Sequence, residues 1–438
     1  MRFSALICVV CAGLASAGLA DERQAQITPL ALPSLPLGVV TFGSGKAVNL
    51  SVSPGAGAFR LPSDPPGRIW TVTDRGPSID CSEERDVIGP DDKLVCQAER
   101  RGKIYLLPGF VPSIYAIDIG AEKQARFIDM VPLKGISGKP LTGIANPYVH
   151  ATSEEAFAPD GQSLTADPSG IEPGALVRLA DGRFWIAEGF APSLLEVAAD
   201  GRVLRRIVPE SLGSDLSSAD YPVEASLPDV LSRRPRGRGF EGLAITPDES
   251  YLFGAMSSAL VNPDVETYRA SPSVRIIKVD RVTGRVVDQF VYVLDPPSAF
   301  AVDSGITSRA SRQSDVRIVE IAALDANRLL VLERMRRHVK LYRVDLSDAR
   351  PLPLVYTQSA TQPSLEATPR FAWPQSRIEP LPKTLLYANP PAKAFPTKIT
   401  GMALLSPNDI VLIGGNDFGI DGSRAQMFRL TFAAPVPN

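Results

Sequence analysis

Apolar positions along this chain come in short β-rich runs with a polar first residue and usually an acidic last one. Arg68-Ile-Trp-Thr-Val-Thr-Asp74, Arg183-Phe-Trp-Ile-Ala-Glu188, Ser250-Tyr-Leu-Phe-Gly-Ala-Met256, Arg328-Leu-Leu-Val-Leu-Glu333 and Asp409-Ile-Val-Leu-Ile-Gly-Gly-Asn-Asp417 share this grammar. Glycine-containing runs precede three of them, beginning at Pro173, Phe240 and Ile399. Strand pairs split by Gly turns follow, such as Ser193–Val197 with Val203–Ile207 and Arg275–Val279 with Val286–Phe290. Four-stranded meanders in series predict an all-β fold, a single β-propeller of six or seven blades.

The repeats are unevenly spaced, and three Pro/Ser-rich stretches take up the surplus length: Ile144 to Gly170, Pro209 to Gly237 and Leu346 to Lys398. No composition shift accompanies them, so they read as long loops over one face of a single domain, residues 21–438. A strand within Val39 to Val52 is expected to complete the blade that holds Gln426–Phe432, closing the ring and leaving no free edge.

Composition narrows the chemistry. Lys+Arg 46 against Asp+Glu 48 gives a net charge of -2, which excludes the basic footprint of a nucleic-acid binder. Two histidines, His150 and His338, are too few for a His-rich metal centre, so acid/base work falls to carboxylates. Arg2, the apolar stretch Ala5 to Leu14 and the small residues before Asp21 form an export signal over residues 1–20, predicting a periplasmic or secreted protein with no membrane span in the mature chain. Cys8 and Cys11 would leave with that segment. Cys81 and Cys96 remain, and an oxidising compartment predicts a disulfide between them.

Four motifs occur in order: Trp70-Thr-Val-Thr-Asp-Arg-Gly76, Gly237-Arg-Gly-Phe-Glu-Gly-Leu-Ala244, Leu332-Glu-Arg334 and Gly415-Asn-Asp-Phe-Gly419. With them the chain resembles, from about Val48 to Phe432, the bacterial exported "esterase-like activity of phytase" family of phytase-like domains. The resemblance implies a propeller and suggests hydrolysis of phosphoesters or esters. The chain departs from the family pattern at Glu172-Pro-Gly-Ala175, Thr400-Gly401 and Gly415-Asn416-Asp417, where three acidic positions are missing.

The acidic strand ends carry the chemistry. If the runs ending at Asp74, Glu188, Glu333 and Asp417 are innermost strands, their carboxylates converge on one mouth with Glu172 and Glu241 from the Gly-rich turns. Glu241 and Asp74 are the expected catalytic pair, and Glu172, Glu188, Glu333 and Asp417 the expected oxygen ligands of Ca²⁺. Arg75, Arg238 and Arg334 stand beside them as binders of a small anionic substrate, since guanidinium forks match phosphate oxygens. Each of these charges also has a bland reading as a turn cap or local ion pair. No Gly-x-Ser-x-Gly elbow, Walker loop or Arg-His-Gly signature occurs. The leading reading is a monomeric metal-assisted hydrolase of phosphate esters or related esters. The alternatives are a non-catalytic periplasmic propeller that binds a ligand or envelope partner, and a lactonase-like six-bladed enzyme. The missing acidic positions favour the non-catalytic form; Glu172, Glu241 and Asp417 favour the hydrolase.

Overall fold

The computed structural model describes residues 25–89, 95–96, 101–121, 123–147, 154–300, 311–390 and 394–436. The expected export signal, Cys8, Cys11 and His150 lie outside them. The fold is an all-β propeller. Among the described residues there are seven sheets, and five of them, each of four or five strands, form a ring. Their first strands are Pro54–Phe59, Pro173–Arg178, Phe240–Ile245, Val316–Ala323 and Ile399–Ser406, each packed against the next, and the fifth returns to the first. These sheets are blades one to five. The other two are a hairpin over Pro36–Ser51 and a small sheet in which the insertion after Thr73 pairs with residues 156–164 from the segment between blades one and two. Both stand outside the ring, so the expected six or seven blades correspond to seven sheets but five blades.

Ring closure follows the expected principle with a different strand. Ala25–Leu30, rather than a strand within Val39–Val52, pairs antiparallel with Gln426–Phe432. Val39 to Ser51 belongs to the hairpin instead. The sequence Ala-Gln-Ile-Thr-Pro-Leu looks interrupted by Pro29, but at a blade's outer edge one ladder N–H is dispensable.

The runs with acidic ends are each blade's second strand, and the glycine-containing runs are innermost. Close approach at the axis explains this order. A Cβ on Gly174 would lie 2.4 Å from the Phe240 carbonyl oxygen, and one on Gly57 would lie 2.5 Å from the Ala175 Cα. Neighbouring backbones can meet there only where the side chain is absent.

One residue after the register break, where blades two, three and five have Ala175, Gly242 and Gly401, blade four carries Glu320, fully buried. Its Oε2 accepts from the Ala58 N–H of blade one at 3.0 Å. Its Oε1 accepts from Ile321 N at 3.1 Å and Leu243 N of blade three at 3.4 Å, and Met402 of blade five supplies another N–H. Burial drives this carboxyl well above the usual range even though the backbone donors oppose the shift. One side chain thus ties four blades at the hub. Apolar side chains fill the seams between blades, including fully buried Trp185, Phe240 and Phe253.

Candidate functional site

Every innermost strand starts, and every second strand ends, on the same face of the ring, so both sets deliver their flanking residues to one mouth. The innermost strands also break register there, at Pro173/Ala175, Phe240/Gly242, Ile318/Glu320 and Ile399/Gly401. Bulges re-aim side chains. The bulged residues are Gly174, Glu241, Val319 and Thr400, so Glu241 is the one carboxylate that this repeated device presents. The departures at Gly174 and Thr400 fall on positions equivalent to Glu241.

A cavity of about 530 Å³ opens at the mouth, and Asp74, Arg75, Glu172, Lys103, Lys398 and Asp417 line part of it. Asp74 is exposed and lines this cavity, with protein close enough around it to desolvate its carboxyl. Burial raises its pKa, with Asp417 adding to the rise while Arg75 and Lys103 oppose it. Asp417 is 73% exposed and 3.7 Å from Lys398. It and Phe418 adopt positive φ, 45° and 57°, and Phe418 stacks edge-on against Phe110 at 5.1 Å. Left-handed backbone at two successive non-glycine residues costs about 1–2 kcal/mol each and is characteristic of sites.

Arg75 is not a free anion binder. It ion-pairs with Glu154, donates to the Tyr105 hydroxyl at 3.1 Å, reaches Glu172 Oε1 at 3.0 Å and lies 4.0 Å over the Phe190 ring. Burial works against its charge, but Glu154 and Glu172 outweigh it and hold the pKa well above normal. Its task is to position Glu172, whose Oε2 is buried without a hydrogen bond. Burial, with Asp74 and Glu154 nearby, raises Glu172 to about 6 against the pull of Arg75.

Glu241 is half-buried and has no hydrogen bond among the described residues. Burial first, then Glu172 and Asp74, raise its pKa to about 7, opposed by Arg317 and Arg334. Arg238, Arg317 and Arg334 adjoin it on the side of blades three and four. Burial and the neighbouring guanidiniums lower Arg317 to about 9. Burial, with Arg238, lowers Arg334 to about 10 although Glu241 pulls it upward.

Two expected metal ligands do not reach the mouth with free oxygens. Glu188 is fully buried: Oε1 accepts from Ser193 at 2.7 Å and from Arg206, and Oε2 accepts from Phe190 N at 2.9 Å. Glu333, also fully buried, accepts from Lys383 Nζ at 2.6 Å, Tyr292 and Asp295 N. Both end second strands, which places them in the seams rather than on the channel. His338 is buried beside Asn389, with Nδ1 2.9 Å from its Nδ2. The run 233–238 divides its arginines: Arg233 is exposed, Arg234 donates to the Phe190 carbonyl, Arg236 pairs with Asp80 and Glu154, and Arg238 faces the mouth. Cys81 and Cys96 form the expected disulfide, with Cα atoms 5.8 Å apart.

Arg317 and Glu320 escaped the sequence reading. Their strand, Val-Arg-Ile-Val-Glu-Ile, carries no glycine and so hides its equivalence to the other innermost strands. The visible signal was its position one hairpin before Leu332-Glu-Arg334.

Comparison with known proteins gives a family and a set of distant likenesses. A secreted protein of uncharacterized function from Arthroderma benhamiae (strain ATCC MYA-4681 / CBS 112371) is 24% identical over 245 residues, 48% of this chain and 45% of that protein. The chain thus spans less than half the length of that relative. Among solved structures, a luciferin-regenerating enzyme is 9% identical over 94% of this chain and 96% of its own, with a TM-score of 0.34. The WD40 repeats of RRP9 are 9% identical over 93% and 100%, at 0.33. The PQQ-bound aldose sugar dehydrogenase of Streptomyces coelicolor is 10% identical over 94% and 99%, at 0.31. Scores this low carry no functional argument, and no helix among the described residues is long and apolar enough to cross a membrane. The family model for esterase-like activity of phytase matches residues 61–418, spanning the innermost strands of blades two to five and the mouth built from them, and the chain belongs to this Phytase-like family.

Proposed function

We propose that the protein is an exported hydrolase of phosphate esters or related esters, acting at the propeller mouth on a small anionic substrate. The observation that carries this reading is Glu241, a carboxyl raised to about 7 and set beside guanidiniums whose side chains make no hydrogen bond or ion pair among the described residues. A carboxyl that exchanges its proton near neutral pH suits general acid catalysis. Arg238 and Arg334 hold the anionic group, Glu241 protonates the departing ester oxygen, and Asp74 takes the proton of the attacking water as the ester bond breaks. Arg75 keeps Glu172 at the wall between the two acids.

The metal-assisted form of this reading asks for Ca²⁺ among the mouth carboxylates. Among the described residues no three His, Cys, Asp or Glu side chains come together in a way that could hold a metal ion. Glu188 and Glu333 are already committed, and the mouth's other side is cationic. The donor set does not fit a calcium cage, and no step is assigned to one. Calcium therefore enters as a titration, in which a rise in melting temperature abolished by Glu241→Gln or Glu172→Gln would restore the metal to the site.

Turnover of p-nitrophenyl phosphate and p-nitrophenyl acetate by the purified protein tests the hydrolase reading. Activity on either that falls at least 100-fold in Glu241→Gln supports it. The second reading, a ligand-binding propeller without catalysis, is favoured by Gly174 and Thr400 at the two positions equivalent to Glu241. Ligand binding with no turnover of either ester would select it.

A further inference from the structure

Blade four contains an arrangement that sheets normally avoid. Arg317 and Arg334 are direct cross-strand partners, so two guanidinium side chains rise side by side at the mouth end of one hairpin. Like charges directly opposite one another destabilise an antiparallel pair. Arg238, from the turn that enters blade three, adds a third positive charge close enough to act on both.

Burial sharpens the problem. Arg334 is only 6% exposed, and its Nη1 is buried with no hydrogen-bond acceptor; the Nη1 of Arg238 is buried in the same condition. Within the described residues none of the three guanidinium side chains has a hydrogen bond or an ion pair. A buried guanidinium without an acceptor costs several kcal/mol, which a fold tolerates only where something else supplies the acceptor. This fold does pair its other buried arginines. Arg206 bonds Ser193, Tyr221, Asn146 and Glu188, and Arg275 bonds Glu366 and the Tyr356 carbonyl.

We infer that Arg238, Arg317 and Arg334 form a seat for a tetrahedral dianion, the phosphoryl group of a monoester substrate or the inorganic phosphate released from it. Three forks, two from the blade-four hairpin and one from the turn into blade three, offer donors to three oxygens of one phosphoryl group. A planar carboxylate has two oxygens and leaves one fork unanswered. Arg317 is the residue that makes this distinction, because it completes the set between Arg334 across the ladder and Arg238 from the neighbouring blade. The inference rests on the hydrolase reading for the identity of the ester, but the seat itself is a binding property that needs no turnover.

The test is calorimetric and thermal titration of the whole purified protein with sodium phosphate, sodium sulfate and sodium acetate at equal ionic strength, in the presence of EDTA. Phosphate and sulfate are expected to bind and raise the melting temperature, with acetate at least tenfold weaker. Arg317→Gln is expected to weaken phosphate about tenfold while melting no lower than the parent, since it removes a like-charge contact. Arg334→Gln serves as the second variant, with the same expected loss. Equal effects of acetate and phosphate would overturn the seat, as would unchanged phosphate affinity in both variants. Phosphate binding without hydrolysis of either ester removes the hydrolase reading and leaves the seat standing. Hydrolysis of p-nitrophenyl acetate with no phosphate binding does the reverse.

Discussion

The seams between blades and the mouth of the ring both bury charge, and they treat it in opposite ways. In the seams each acid meets its base: Glu188 with Arg206, Glu366 with Arg275, Glu333 and Asp295 with Lys383. At the mouth the side chains of Glu241, Arg238, Arg317 and Arg334 are held together with no hydrogen bonds among the described residues. The seams fulfil the rule that buried charge is paired, and the mouth departs from it in one place, which is how a binding site differs from a structural ion pair. The lesson is that an acidic residue at a strand end says little until its neighbours are known.

Breaking a seam should cost most. Arg206→Ala leaves Glu188 charged, fully buried and short of its main donor, and is expected to lose about 3–5 kcal/mol in urea unfolding. The hub comes next. Both oxygens of Glu320 accept backbone N–H groups, so Glu320→Gln turns an NH₂ toward a donor and should cost about 2 kcal/mol.

The mouth responds to pH instead. Glu241 titrates at about 7 in the folded protein against 4.5 when unperturbed, so between those values the native state holds a proton that the unfolded chain has released. Its contribution is present in full below the unfolded value and is lost as pH rises through the folded one. Stability is therefore expected to fall by about 2 kcal/mol across this window, each pKa unit being worth about 1.4 kcal/mol before the discount for partial exposure. Glu172, raised to about 6, adds a smaller fall of the same sign. Glu241→Gln should reduce the slope around pH 7, leaving the falls owed to other raised carboxyls; an unchanged slope of melting temperature against pH there would move the titrating group elsewhere. The smallest effect belongs to Arg317→Gln, expected within about 0.5 kcal/mol of the parent or slightly stabilising without phosphate. A loss as large as that of Arg206→Ala would place Arg317 with the seams and erase the contrast.

Much of the framework was legible along the chain. Each of the five runs with polar starts forms a strand, because a short run of β-branched and other apolar residues bounded by turn residues favours a buried strand locally. The Gly-Phe-Glu-Gly element did mark the mouth, since a glycine beside a bulged acid reflects two local needs, close backbone approach and a re-aimed side chain. Less legible was the order within a blade. The closing strand Ala25–Leu30 hid behind Pro29, and the innermost strand of blade four hid because Glu320 stands where other blades use small residues.

The sequence by itself determined most second strands, the propeller class, the pairing of Cys81 with Cys96 and the presence of an acidic and basic set near Glu241. Only the tertiary structure decided which members of that set do structural work. Glu188 and Glu333 carry the same local signature as Asp74, yet Arg206, 18 residues from Glu188, and Lys383, 50 residues from Glu333, satisfy them. Arg317 and Arg334 look like ordinary strand arginines until the ladder sets them face to face. A strand's preference is written in neighbouring residues, whereas the fate of a charge depends on what the fold brings to it across space.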